Sequence, residues 1–365
     1  MTCYLHIGVE KTGSTSIQEF LHLNKDNIFK QNYFIPQSIG KNHWDLAFLA
    51  RSMDKKDSYI LMHSLSNLQD IREHKRKILS KLKAEIKHAK NIIFTSELLQ
   101  SRLDQKKEII RLKKILYILN VKKIFVILYI RDQLDLFRSL CCESIKWGEI
   151  DGFELSREGL QYACCFKKNL SHFDHVCNHK QTIQWWQQIF GKENLIVRLF
   201  DKSEFYRGDL LNDFVHSIGL KWDNEFIIPP KKNESLDLIG IEILKRCNNL
   251  LPFFVNGSPN RLRNHLNHFI QKYFSSKELF LKFQPPKEVA QSYIDYFEES
   301  NEWVRKEFFP HKERLFPKKD MSTYKENYEL REMKPEYRDK ISEFIADIVK
   351  TKNDSIQNLN QTIET

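Results

Sequence analysis

The chain has no stretch of about 18 uncharged apolar residues, so no membrane-spanning helix is expected. Its start runs from Met1 straight into Tyr4-Leu5-His6-Ile7-Gly8, without the basic and then apolar stretch of a signal peptide. Seven cysteines include two adjacent pairs and no CxxC spacing, which excludes an ordinary disulfide framework and favours reduced thiols. A cytoplasmic location is the expectation from these absences. No His or Cys cluster has metal-ligand spacing; His172, His175, Cys177 and His179 come closest, and no metal is expected. A Ser-His-Asp constellation and nucleic-acid-binding motifs are also missing. With no internal repeat and no sharp change of composition, residues 1–317 read as one domain. Residues 318–365 are polar, with Tyr324, Tyr328, Tyr337 and Phe344 as their aromatics, and read as a helical or partly disordered tail.

What is present is ample for a core: 365 residues, 41% of them hydrophobic. The 58 Lys and Arg against 48 Asp and Glu leave a formal charge of +10, which favours an anionic partner. Short runs rich in Ile, Val, Phe and Tyr stand at Tyr4 to Ile7, Asn91 to Thr95, Lys123 to Ile130 and Leu195 to Phe200, separated by segments of helical period. That alternation predicts an α/β fold with a parallel, P-loop-like sheet flanked by helices. After about Leu220 helical segments dominate, giving a helical C-terminal part. A helix is predicted around Ile71, Ile78, Leu82 and Ile86, studded with cations between His74 and Lys90. This is either a solvated face or a docking surface for an acidic acceptor.

The first run leads into Gly8-Val9-Glu10-Lys11-Thr12-Gly13-Ser14-Thr15-Ser16, followed by Ile17, Phe20 and Leu21 at helical spacing. A strand, a short loop and a helix start aim backbone N–H groups and the positive end of the helix dipole at one point, which is an anion site. Gly13 allows close approach, and the hydroxyls of Thr12, Ser14, Thr15 and Ser16 add donors. Gly8 and Gly13 have the spacing of P-loop glycines, yet Ser14 stands where the P-loop lysine belongs, and Lys11 precedes the second glycine. A nucleoside triphosphatase needs that lysine on its β- and γ-phosphates. A second strand-to-helix junction, Ile130-Arg131-Asp132 through Arg138-Ser139, offers a guanidinium and, eight residues or ~12 Å of helix later, a hydroxyl.

Lys11-Thr12-Gly13-Ser14-Thr15, joined to Arg131 and Ser139, resembles the sulfotransferases that use 3′-phosphoadenosine-5′-phosphosulfate (PAPS), in their bacterial and carbohydrate-modifying branch. The resemblance spans about residues 4 to 317, and only these two segments are specific. It implies that Lys11 contacts the oxygen between the 5′-phosphate and the sulfuryl group. It also implies that Arg131 and Ser139 bind the 3′-phosphate, and that adenosine 3′,5′-bisphosphate is released. Glu10 stands where cytosolic members usually carry Pro, and their Arg-Lys-Gly loop has no clear counterpart.

Transfer to a hydroxyl needs a proton acceptor. His43, in Asn42-His43-Trp44-Asp45, and Glu97, after the run ending at Thr95, both occupy places where relatives hold such a group. Imidazole titrates near neutrality, which tips the sequence reading slightly towards His43. Trp44, Trp147, Trp185 and Trp186 offer flat faces for sugar rings, although aromatics near a sheet more often belong to the core. The expectation is therefore an enzyme that moves a sulfuryl group from PAPS to a hydroxyl, with a saccharide or glycan as acceptor. The alternatives are a P-loop kinase of a nucleotide or small metabolite, and a non-catalytic glycan-binding relative.

Overall fold

The structure, a computed structural model, describes residues 1–55, 57–146, 148, 175–230, 236–255, 258–263, 265–275, 282–324, 326 and 334–364. Trp147 and His172 lie outside the described residues. Five parallel strands form one sheet: β1 (Thr2–His6), β2 (Tyr33–Phe34), β3 (Asn91–Thr95), β4 (Lys123–Ile130) and β5 (Leu195–Leu199), in the order β2-β3-β1-β4-β5. The fold is α/β, as the alternating runs predict, and four of the five strands coincide with those runs to within two residues.

Parallel strands covered on both faces need near-continuous apolar runs, and β4 is one, buried at every position from Val126 to Ile130. On one face Ile127 and Tyr129 share a cluster with Ile93, with the helix α1 (Ser14–Leu23) and with the helix Leu210–Ser217. Ile17, Phe20 and Leu21 of α1 are at most 1% exposed. Each such burial contributes roughly 1.5–3 kcal/mol, and together they fix α1 against the sheet. Elsewhere the helices Lys106–Ile118 and His179–Phe190 pack on each other, and the second packs against β4.

Strand register sets the geometry of the functional edge. His6, the end of β1, is level with both Thr95 and Ile127, while β4 continues to Ile130. At about 3.3 Å per residue, β4 overhangs the loop after β1, and Arg131 stands above that loop.

The chain divides into two compact units, neither continuous in sequence. The sheet belongs to the unit made of Met1–Phe137, Phe166–Lys232 and Ser292–Lys319. The other unit comprises Arg138–Cys165, Asn233–Gln291 and Asp320–Thr365. Its helices Leu238–Leu250 and Leu266–Phe274 pack closely because Gly240 has no side chain: a Cβ there would lie 2.8 Å from Phe274 Cβ. The last helix, Pro335–Glu364, packs on Leu266–Phe274. Among the described residues, no helix is long and apolar enough to cross a membrane.

Candidate active site

The loop from β1 to α1 is built on three left-handed residues, Gly8 (φ 59°), Lys11 (φ 63°) and Gly13 (φ 80°). Glycine adopts this region freely, whereas a lysine there is an uncommon, strained choice. Thr12 is buried and braces the turn: its hydroxyl donates to the Val9 carbonyl at 2.6 Å and accepts from the Val9 amide at 3.4 Å. Gly13 caps α1, its carbonyl accepting from the Ser16 and Ile17 amides. The first amides of a helix have no intrahelical acceptor, so those of Ser14 and Thr15 belong to the anion end of α1. A Cβ on Gly13 would overlap Leu210 and meet Phe200. Ser14 Oγ is buried with no hydrogen-bond partner, Thr15 is exposed and Ser16 is half-buried.

The neighbouring strand brings Glu97. The Ser96 amide donates to His6 O at 2.9 Å, continuing the β1–β3 pairing, and Glu97 follows at the start of the short helix Leu98–Ser101. A Cβ on Gly8 would lie 3.1 Å from both Glu97 Cβ and Ser14 Oγ, so this glycine allows the two loops to meet. Gln18 Nε2 donates to Glu97 Oε2 at 2.6 Å. Burial, with Glu10 nearby, pushes the Glu97 carboxyl above its ordinary range against the opposing pull of its own amide, Gln18 and Lys11.

On the other side of β1, Arg131 Nη1 donates to the Lys11 carbonyl at 3.1 Å, and its guanidinium lies over the Phe200 ring at 5.7 Å. The Arg131 carbonyl accepts from His179 Nε2 at 2.7 Å. Asp132 caps the helix Gln133–Lys146 through the Asp135 amide at 3.1 Å and pairs with Lys319 at 3.2 Å. Ser139 stands two turns into that helix, in the part counted with the second unit.

Lys11, Glu97 and Arg131 thus follow three adjacent strands at their carboxyl ends, the edge where open α/β sheets take ligands. His43 stands apart. Its ring is buried, Nδ1 accepts from the Thr95 amide at 3.0 Å, and Nε2 donates to the Pro36 carbonyl at 3.0 Å. Burial lowers it to about 4. With both nitrogens bonded to main chain, it pins the end of β3. Of the histidines that come closest to metal-ligand spacing in the sequence, His175 Nε2 bonds the Gln100 carbonyl and His179 Nε2 the Arg131 carbonyl.

The donor set fits a phosphate- or sulfate-type anion: helix-start amides, an unpartnered buried hydroxyl, and a guanidinium fork beside them. Phe200 and Gln18 are not evident from sequence. Gln18 alone leaves a trace there, as a polar residue within the apolar face of α1. Beyond β5, a cavity of about 340 Å³ is lined by Asp201, Glu204, Lys312, Arg314 and Phe316 among others. Lys312 pairs with Glu204 and Arg314 with Glu298 at 2.7 Å, so its cations are neutralised within the protein.

No family model matches the chain. An uncharacterized protein of Archaeoglobus fulgidus is 24% identical over 143 residues, 39% of this chain and 37% of that protein, so the chain spans little more than a third of the relative it matches. The crystal structure of a sulfotransferase from Alicyclobacillus acidocaldarius is 14% identical, covering 63% of this chain and 85% of that one with a TM-score of 0.38. None of these comparisons assigns the chain to a family.

Proposed function

We propose that the protein is a sulfotransferase that moves a sulfuryl group from PAPS to a hydroxyl, with a saccharide as acceptor. One contact carries this reading above all: Arg131 Nη1 on the Lys11 carbonyl at 3.1 Å, which joins two anion loops into one edge. A donor with phosphate groups at its 5′ and 3′ positions needs two such grips, whereas a lone phosphate needs one.

The bound donor supplies the sulfuryl group. Lys11 and the start of α1 hold the 5′ end and neutralise the charge that builds on the departing phosphate. Arg131 takes the 3′-phosphate through its rigid fork, with Ser139 in the role that the sequence resemblance implies. Glu97 receives the acceptor's proton as the new O–S bond forms and the S–O bond to phosphate breaks, leaving adenosine 3′,5′-bisphosphate. Its raised titration suits a base at near-neutral pH. We assign His43 to holding β3 in place, since using it as a base would break one of its two main-chain bonds.

Calorimetric titration with adenosine 3′,5′-bisphosphate and with ATP plus Mg²⁺ tests the donor. Binding of the first alone is expected, with affinity about 10- to 100-fold lower in Lys11→Ala, the range for charge-assisted hydrogen bonds. Binding of ATP in preference, with Mg²⁺-dependent turnover, would replace this reading with a kinase.

A further inference from the structure

We propose that Gln18 is a positioning residue for the proton transfer: its side-chain amide holds the Glu97 carboxylate by Oε2, so that the acceptor's proton lands on Oε1. The proposal rests on the reading of Glu97 as the base.

Gln18 lies on α1 one turn beyond Ser14, between Ile17 and Phe20, and is only 6% exposed. A primary amide buried on an apolar helix face requires a polar partner, and the partner is Glu97 Oε2 at 2.6 Å. The orientation of the amide follows from chemistry: a carboxylate only accepts, so the NH₂ end must face it. The groups facing Glu97 are Glu10 and Lys11 from the β1–α1 loop, its own amide and Gln18. Burial and Glu10 favour the protonated carboxyl, while the other three favour the carboxylate. Gln18 therefore acts in two ways. It draws the titration of a half-buried carboxyl down against the effect of burial, and it occupies a lone pair on one oxygen.

The same helix sets the distance. Its first turn faces the anion site, and Gln18, four residues on and about 6 Å along the axis, grips the base. Donor and base are indexed to one rigid element, itself fixed by the burial of Ile17, Phe20 and Leu21.

Gln18→Met keeps the length of the side chain and removes the N–H donor. Three readouts are compared with wild type: the Glu97 titration by ¹³C NMR of glutamate-labelled protein, assigned with Glu97→Gln; the acid limb of kcat/KM against pH; and calorimetric affinity for adenosine 3′,5′-bisphosphate. The Glu97 titration and the acid limb should both rise by about one pH unit, with bisphosphate affinity unchanged within about twofold. Gln18→Glu, which places a second carboxylate against the first, should raise them further. A Glu97 titration that does not move overturns the proposal, as does a parallel loss of bisphosphate affinity, which would make Gln18 a brace of the donor loop. If the titration moves while the rate profile stays still, Glu97 is not the base and the proposal falls through its premise. Absence of bisphosphate binding by wild type is a separate failure, of the donor reading.

Discussion

Two buried polar clusters lie in the sheet-bearing unit, and they are opposites. Asp213, fully buried in the helix Leu210–Ser217, accepts from Tyr129 Oη at 2.7 Å, Arg198 Nε at 3.0 Å and the Tyr206 amide at 2.7 Å, and also pairs with Arg198 Nη2. Both carboxylate oxygens are satisfied there. Around the end of β1, by contrast, Ser14 Oγ, Ser96 Oγ and His6 Nε2 are buried with no hydrogen-bond partner. An unmet buried polar group costs about 1–3 kcal/mol. The matched cluster secures the strands and helices; in the function proposed above, the donor would complete the unmatched one at Ser14.

Breaking the matched cluster should have the largest effect. Asp213→Ala leaves the buried Tyr129 hydroxyl without its acceptor and the half-buried Arg198 guanidinium without its ion pair, a loss of about 2–4 kcal/mol. Urea denaturation should show that loss. If the loss is below about 1 kcal/mol, the cluster is not what holds this part of the fold.

Acid should act next. Burial lowers His43 and His179 to about 4, with each ring nitrogen Nε2 donating to a carbonyl. The unfolded chain protonates its histidines near pH 6.5, the folded protein only near 4. Between those values the unfolded state binds more protons, so the stabilisation present above pH 6.5 is lost as pH falls towards 4, up to about 3 kcal/mol for each histidine. Urea midpoints measured from pH 7 to 4.5 should fall, and His43→Gln should fall less steeply over the same window. Equal slopes in the two proteins would mean that His43 is not held neutral by the fold.

What the sequence disclosed, and what it hid, follows the same division. Lys11, Glu97 and Arg131 were visible because each follows an uninterrupted apolar run, and strand ends in a parallel sheet gather ligands. The helical pattern of Ile17, Phe20 and Leu21 likewise located α1. The two residues of β2 carry no period, and the second unit returns to the chain in three separate pieces, so neither is readable from local pattern. The bond between Gln18 and Glu97 joins residues 79 apart, and the position of Arg131 above the loop depends on a register that only pairing sets. His43 illustrates the remaining gap: imidazole chemistry is visible in one letter, but burial and two main-chain bonds are properties of the folded surroundings.

The smallest effect is the most discriminating one, because two hydroxyls of one loop stand on opposite sides of the comparison. Thr12 Oγ1 bonds the Val9 carbonyl and amide, whereas Ser14 Oγ bonds nothing in the protein. Thr12→Val should therefore cost about 1 kcal/mol of stability, the usual worth of an intramolecular hydrogen bond with a buried acceptor left unmet. Ser14→Ala should leave stability unchanged or slightly raised, and should reduce affinity for adenosine 3′,5′-bisphosphate about tenfold, the loss of one hydrogen bond to an anion. Thermal denaturation and calorimetry on the two variants check both halves. Should Ser14→Ala destabilise the fold as much as Thr12→Val while binding is unaffected, its hydroxyl would belong to the scaffold, and the unmatched cluster would lose the member closest to the proposed donor.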